Sequence, residues 1–100
     1  MKIQKSIIKT NAELFDWLYP RKTILSVDCE TTSLDYFEMK LVGVSFCDGE
    51  NACYVDLWEN PKYSVMLKTL KVFFHEYGGT LIMHNSIFDL KVLYKFGILR

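Results

Sequence analysis

The stretch that most constrains the fold is a run of apolar and β-branched residues at positions 23–30, TILSVDCE, which contains two acids near its end. Residues of these types predict a central strand buried inside a sheet. Side chains on a strand alternate between its two faces, so Asp28 and Glu30 share one face and Cys29 points to the other. Two carboxylates at the end of a buried strand repel each other unless a cation or a proton lies between them.

This acid pair has two interpretations. As a metal site, its hard carboxylate oxygens favour Mg²⁺ or Mn²⁺. As a chance pattern, an acid two residues from another acid is a common triplet in proteins of ordinary composition. The apolar strand that precedes Asp28 favours the metal site, because a charge in such a strand is costly without a partner.

The first half of the chain predicts a strand, a helix and a hairpin. A strand at residues 2–9 is followed by a capping box of Thr10 and Glu13, which predicts a helix that Pro20 stops. Two β-rich runs at residues 41–46 and 52–57 are separated by a turn that contains Asp48-Gly49. They predict an antiparallel hairpin, whose first strand should adjoin the strand at residues 23–30.

The second half predicts a helix, a strand and a final helix. Asn60 and Pro61 are typical of a helix N-cap and first helical position, and apolar residues then recur at helical spacing as far as Gly78-Gly79. A short buried strand at residues 80–83 precedes a helix at residues 86–96, which Gly97 ends. The order β-α-β-β-β-α-β-α predicts an α/β fold with a mixed sheet flanked by helices.

Composition excludes several classes of protein. The chain carries 12 Lys and Arg against 12 Asp and Glu, so it lacks the basic excess that is typical of a passive DNA-coating module. The cysteines, at positions 29, 47 and 53, fit neither a disulfide framework nor a zinc site, and we expect reduced thiols in a cytoplasmic protein. No apolar run approaches the ~20 residues of a membrane span, and no signal peptide is recognisable, so no membrane association is expected.

Asp89 also has two interpretations. Ser86 and Asp89 have the spacing of a capping box, and the helix dipole favours an acid in the first turn. Alternatively, Asn85 and Asp89 face the same way if the helix begins at Asn85. They would then project beyond the end of the strand at residues 80–83, where ligand sites of open α/β sheets cluster. Asp89 would lie at the same end of the sheet as the acid pair if the two strands are parallel.

Several segments together resemble the 3′–5′ exonuclease (proofreading) domain of DNA polymerase I-type enzymes. Residues 26–35, SVDCETTSLD, resemble the first motif of that family, and residues 84–90, HNSIFDL, resemble its second. Residues 41–46, LVGVSF, and residues 52–57, ACYVDL, are similar to the hairpin between these motifs. The segments cover most of the chain in the order and spacing of the family.

The resemblance implies an RNase H-like fold and the removal of nucleotides from the 3′ end of single-stranded DNA. It implies that two divalent metal ions, Mg²⁺ or Mn²⁺, are held by Asp28, Glu30 and Asp89, with Asp28 bridging them. In such a site the ions clamp the scissile phosphate, activate a water and stabilise the leaving oxygen. Positioning and electrostatics carry most of a phosphoryl transfer.

The resemblance also implies contacts with the substrate. Thr31 and Asn85 resemble the positions that touch the terminal nucleotide, and Leu34 resembles an apolar wedge that separates the last two bases. Two simpler interpretations stay open. Leu34 could be a loop residue folded onto the core, and Thr31 could merely cap the end of the strand.

The family's third motif, a Tyr or His followed by an Asp on a later helix, is absent from this sequence. Tyr94 lies only five residues after Asp89, and no Asp follows it. Residues 1–100 are therefore predicted to be the N-terminal part of an exonuclease domain, truncated before that motif, with a polymerase domain expected downstream. We expect this piece by itself to bind metal weakly, to show little or no activity, and to self-associate through uncovered apolar surface.

Two other functions compete with proofreading. An RNA exonuclease of the RNase D type would share the acids, although the continuation TTSLD after Glu30 and the run LVG at residues 41–43 favour the polymerase type. A non-catalytic relic that only shapes a polymerase is the second alternative. Loss of the acids would mark such a relic, and here the acids are present.

Overall fold

The computed structural model of the protein describes residues 3–21 and 23–99, which form five strands and three helices. The strands are β1 (Gln4–Ile8), β2 (Ile24–Thr31), β3 (Leu41–Cys47), β4 (Asn51–Asp56) and β5 (Thr80–Met83). The helices are α1 (Asn11–Leu18), α2 (Tyr63–Glu76) and α3 (Ser86–Lys95). The predicted order of elements is confirmed, and Lys2, which was predicted to begin the first strand, lies outside the described residues.

The sheet has the strand order β1-β4-β3-β2-β5 and mixes both directions. β3 is antiparallel to its neighbours β2 and β4, whereas β1 is parallel to β4 and β5 is parallel to β2. The predicted hairpin of β3 and β4 is confirmed, and β3 adjoins β2 as expected. Gly49 has a φ of 95° in the connecting turn, a conformation that glycine adopts without steric cost.

One hydrophobic core lies between the sheet and helices α1, α2 and α3. The alternation along β2 aims Leu25, Val27 and Cys29 into this core, while the residues between them are exposed. Phe46 of β3 lies at its centre, with ring centroids 6.0 Å from both Trp17 and Phe74. The helices therefore cover one face of the sheet. The other, which we call the open face, carries Ser26, Asp28 and Glu30 of β2.

The ends of two helices agree with the sequence. Thr10 and Glu13 form both hydrogen bonds of the predicted capping box at the start of α1. Gly97, with a φ of 72°, follows the end of α3, and the next amide, that of Ile98, donates to the Leu93 carbonyl at 2.8 Å. This left-handed glycine satisfies carbonyls that the helix end leaves free.

The predicted start of α2 is wrong by two residues. The helix begins at Tyr63, with Lys62 as its N-cap, rather than at Pro61 with Asn60 as cap. The Asn60 side chain instead makes tertiary contacts, because its Nδ2 donates to the carbonyls of Lys9 at 2.9 Å and Asp56 at 2.8 Å. Asn60 thus ties the end of β4 to the chain that follows β1, and a turn separates it from the helix.

Among the described residues, no helix is long and apolar enough to cross a membrane.

Candidate active site

Asp28 and Glu30 lie on the open face of β2, as the alternation of the strand predicts. Both are exposed, and they pair in register with Ser45 and Gly43 of β3. A register shift between Glu30 and Thr31 then ends the regular pairing. A register shift of this kind re-aims the chain next to a site, and here it precedes the loop at residues 32–40.

β5, the strand that precedes α3, is parallel to β2. This is the arrangement that the sequence required for Asp89 to lie at the same end of the sheet as the acid pair. The last register pair joins Val27 to Met83, and α3 starts directly beyond it at Ser86. β2 continues to Thr31, so its final residues extend past the end of β5. The first turn of α3 therefore lies alongside the end of β2 where the acid pair stands.

Asp89 is fully buried in this junction, with a relative exposure of 0%. Its Oδ1 accepts a hydrogen bond from the Cys29 backbone N–H at 3.1 Å. That N–H lies beyond the last residue pair of β2 and β5, where no backbone carbonyl of β5 is paired with β2. The Asp89 side chain of α3 therefore supplies the acceptor that the strand no longer provides. The N-cap of α3 is Asn85 rather than Ser86, and within the described chain no side chain caps this helix. The capping-box interpretation of Asp89 is therefore wrong.

The second oxygen of Asp89 makes this carboxylate unusual. Oδ2 is buried and has no hydrogen-bond partner among the described residues. Burial raises the pKa of Asp89, the charge of Asp28 raises it further, and the Cys29 N–H acts in the opposite direction. A buried carboxylate oxygen without a donor is costly unless a cation or a proton compensates it. The site's hard oxygen ligands therefore fit a divalent cation in their chemistry.

The three acids are not gathered into a ligand cluster. Within residues 3–21 and 23–99, no three His, Cys, Asp or Glu side chains are grouped so that they could hold a metal ion. Asp28 and Glu30 project from the open face, whereas Asp89 is held by Cys29 at the edge of β2. The acids thus share one end of the sheet, but their side chains are not grouped as the two-ion site implied by the resemblance would require.

The residues predicted to contact substrate occupy the same end of the sheet. The Thr31 Oγ1 donates to the Ser33 carbonyl at 2.7 Å, which is a local bond of the loop that follows β2. Leu34 is 84% exposed, so its interpretation as a loop residue folded onto the core is wrong. Asn85 is exposed at the N-cap of α3. Contact of any of the three with a nucleotide stays a prediction.

Sequence reasoning missed a close pair beside the acids. Tyr54 of β4 lies over Gly43, so that a Cβ at residue 43 would collide with its ring and hydroxyl. Burial raises the pKa of Tyr54, and the carboxylates of Asp56 and Glu30 raise it further. A glycine inside a strand often marks a close approach, so Gly43 was a usable signal.

The cysteines are free, as expected. Cys29 and Cys53 are buried, and Cys47 is half-buried. Burial, together with the charge of Asp89, raises the pKa of Cys29 to about 12. Cys29 is therefore a neutral thiol.

Comparison with known proteins places this chain in a family. Residues 6–100 match the model of the 3′–5′ exonuclease family. No curated protein matches the sequence at a significant level.

Solved structures share the fold at low sequence identity. The catalytic core of RRP6 from Trypanosoma brucei has a TM-score of 0.76 and 14% identity, over 98% of this chain and 27% of that chain. The Nibbler EXO domain of Aedes aegypti has a TM-score of 0.77 and 8% identity, over 96% of this chain and 47% of that chain. NrnC of Brucella melitensis with bound Mg²⁺ has a TM-score of 0.55 and 22% identity, over 95% and 44%.

These likenesses confirm the RNase H-like fold that the sequence motifs implied. The chain spans between about a quarter and a half of the length of these structures.

Proposed function

The chain belongs to the 3′–5′ exonuclease family, and from that premise we propose that it carries the acids of a metal-dependent site that hydrolyses the terminal phosphodiester of a DNA 3′ end. One observation carries the proposal. The fully buried Asp89 leaves one oxygen without a partner among the described residues, at the end of the sheet where β2 presents Asp28 and Glu30.

Asp28, Glu30 and Asp89 are the residues that would hold the cations. Bound divalent ions would supply Lewis-acid stabilisation of charge on the scissile phosphate and on the leaving oxygen. The Mg²⁺ in the related NrnC structure supports this choice of ion. Mn²⁺ has the same preference for carboxylate oxygens.

The remaining groups of the site position its parts. The Cys29 N–H fixes one oxygen of Asp89 and so orients the other. Asp28 and Glu30, on the exposed face of β2, are open to a nucleic acid from solvent. Thr31, Leu34 and Asn85 border the same end of the sheet, where a terminal nucleotide would lie. An unpaired end suits this arrangement, because it must be splayed to reach the acids.

DNA is the substrate that we favour, in a proofreading domain linked to a polymerase domain downstream. The continuation TTSLD after Glu30 and the run LVG at the start of β3 support this choice over an RNA exonuclease of the RNase D type. The presence of all three acids weighs against a non-catalytic relic. We further propose a cytoplasmic location and, for residues 1–100 by themselves, self-association through the open face.

The test uses the full-length protein with single-stranded oligonucleotides of one sequence, in DNA and in RNA, labelled at the 5′ end. We expect stepwise shortening from the 3′ end of DNA with Mg²⁺ or Mn²⁺ and none with a chelator. Asp28→Ala should abolish it. Glu76→Ala, which removes an exposed acid at the end of α2, is the matched control and should digest normally. Faster digestion of RNA would identify the RNase D alternative, and no digestion of either would support the relic.

A further inference from the structure

The loop at residues 32–40, between β2 and β3, is held by its own hydrogen bonds. Its ends are joined, because the Thr32 N–H donates to the Lys40 carbonyl at 3.0 Å and the Lys40 N–H donates to the Thr32 Oγ1 at 3.0 Å. Asp35 organises the middle: its Oδ1 accepts from the Phe37 N–H at 2.9 Å and its carbonyl accepts from the Met39 N–H at 2.9 Å. Met39 is buried and anchors the loop to the core.

This ordered loop holds large apolar side chains in solvent. Phe37 is 87% exposed and Tyr36 is 42% exposed. Their rings pack edge to face, with centroids 5.4 Å apart and planes at 85°. An aromatic pair that the backbone fixes in solvent loses little conformational entropy when it binds a flat partner. The loop follows β2, which carries the acid pair, and the Tyr36 ring lies by Lys95, six positions after Asp89 on α3.

A cation accompanies the aromatic pair. Lys95, near the end of α3, places its Nζ 4.6 Å from the centroid of the Tyr36 ring. Lys40, which is exposed, adds a second positive charge at the end of the loop. Exposed aromatic rings interleaved with cations suit single-stranded nucleic acid, because bases stack on the rings while phosphates are attracted to the cations.

We infer that Phe37, supported by Tyr36 and Lys95, forms a stacking platform for unpaired bases on the 5′ side of the terminal nucleotide. The inference rests on the proposed function, since it names a further contact of the same site with its substrate. The bases next to the 3′ end would stack on Phe37, and this contact would hold the terminal phosphodiester at the acids. Base–aromatic stacking tolerates any sequence, which suits an exonuclease that removes successive nucleotides.

Binding by an inactive protein tests the platform. In full-length Asp28→Ala protein without metal, we would measure the anisotropy of a short labelled oligothymidylate and of an abasic oligomer with the same number of phosphates. Phe37→Ala should weaken oligothymidylate binding by about fivefold to a hundredfold and leave abasic binding nearly unchanged. Phe37→Tyr should bind like the parent. Lys95→Gln should weaken both probes alike and reduce the salt dependence of binding.

Phe15→Ala is the matched control, because Phe15 is a half-exposed ring on α1 that stacks on Tyr19 and not on a residue of the loop. It should bind both probes like the parent. Thermal melts of each variant show whether it is folded.

The possible results distinguish a failure of the stacking platform from a failure of the proposed exonuclease function. If wild-type protein digests DNA and Phe37→Ala still binds oligothymidylate normally, the platform is wrong and the proposed function stands. An equal loss for both probes would also overturn stacking. If Phe37→Ala changes only the sedimentation of the protein, the ring belongs to a protein contact instead. If wild-type protein neither digests nor binds either probe, both proposals fail.

Discussion

The two faces of the sheet obey different physical demands, although the same strands build both. On the covered face, Leu25, Val44 and Phe46 are at most 1% exposed beneath the helices. On the open face, Asp28 and Glu30 of β2 are exposed to solvent. The covered face contributes hydrophobic burial, and the open face carries charges that burial would penalise. Function and stability should therefore respond to different substitutions within a single strand.

The open face is also less polar than its acids suggest. A groove of about 810 Å³ crosses it, lined by polar residues such as Lys5, Ser26 and Asp28 but also by Ile7 and Ile82. Ile7 is 65% exposed and Ile82 is 49% exposed. The self-association that is predicted for residues 1–100 by themselves would bury these apolar side chains.

The largest expected effect is a loss of activity without a loss of stability, caused by a substitution on the open face. Asp28→Ala should lower the rate of 3′ digestion by at least about a hundredfold in the full-length protein, because the cations would be misplaced. Its melting temperature should be unchanged or slightly higher, because one of several neighbouring like charges is lost. Gel assays and thermal melts of the same preparation test this. A large drop in melting temperature would show that the open face also carries stability.

Phe46→Ala is the complementary change on the covered face. Removing this ring leaves a cavity between Trp17 and Phe74, and the free energy of unfolding should fall by about 3–5 kcal/mol. Denaturant titration measures this loss. Ser45→Ala, at the adjacent position on the open face, is the control and should change stability by less than about 0.5 kcal/mol. Equal losses for the two variants would break the distinction between the faces.

Gly43 tests whether the open face is packed at all. Gly43→Ala should cost about 1–2 kcal/mol of stability, because the added methyl group collides with Tyr54. The loss should be smaller in a Tyr54→Ala background, where the ring is gone, and a double-mutant cycle measures the coupling. Purely additive effects would show that Tyr54 moves aside without cost.

The smallest effect is a pH dependence at Asp89. Its pKa is raised by burial, so the folded state binds the proton more tightly than the unfolded state does. Asp89 therefore contributes stability at low pH, and this contribution is lost as pH rises from the ordinary Asp pKa through the raised one. Asp89→Asn keeps an acceptor for the Cys29 N–H and carries no charge. Without divalent metal, it should melt a few degrees above wild type at neutral pH and no higher at acidic pH.

Divalent metal should reverse that order. Mg²⁺ or Mn²⁺ should raise the melting temperature of wild type more than that of Asp89→Asn, because the amide is a poorer ligand. Calorimetry with and without metal gives the comparison. An equal shift in melting temperature for both proteins would show that Asp89 is not a metal ligand.

Much of the local structure of this protein follows from residues that are close together in the sequence. The period of two along β2 placed Asp28 and Glu30 on one face, and Asp48-Gly49 set the hairpin. Thr10 and Glu13 set the start of α1. Each of these features depends on residues within a few positions of one another, where backbone geometry leaves few choices.

Only the tertiary structure decided the contacts that complete the site. The sequence offered a helix cap and a site residue as interpretations of Asp89, and the bond to Cys29 that it makes in place of a cap spans 60 positions. The ring of Tyr54 over Gly43, the side chain of Asn60 on Lys9, and the exposure of Leu34 were likewise undetermined. Such contacts depend on how separate strands and helices are brought together by burial of the core. A side chain with several local partners takes the distant one only when the fold places an unsatisfied backbone group beside it.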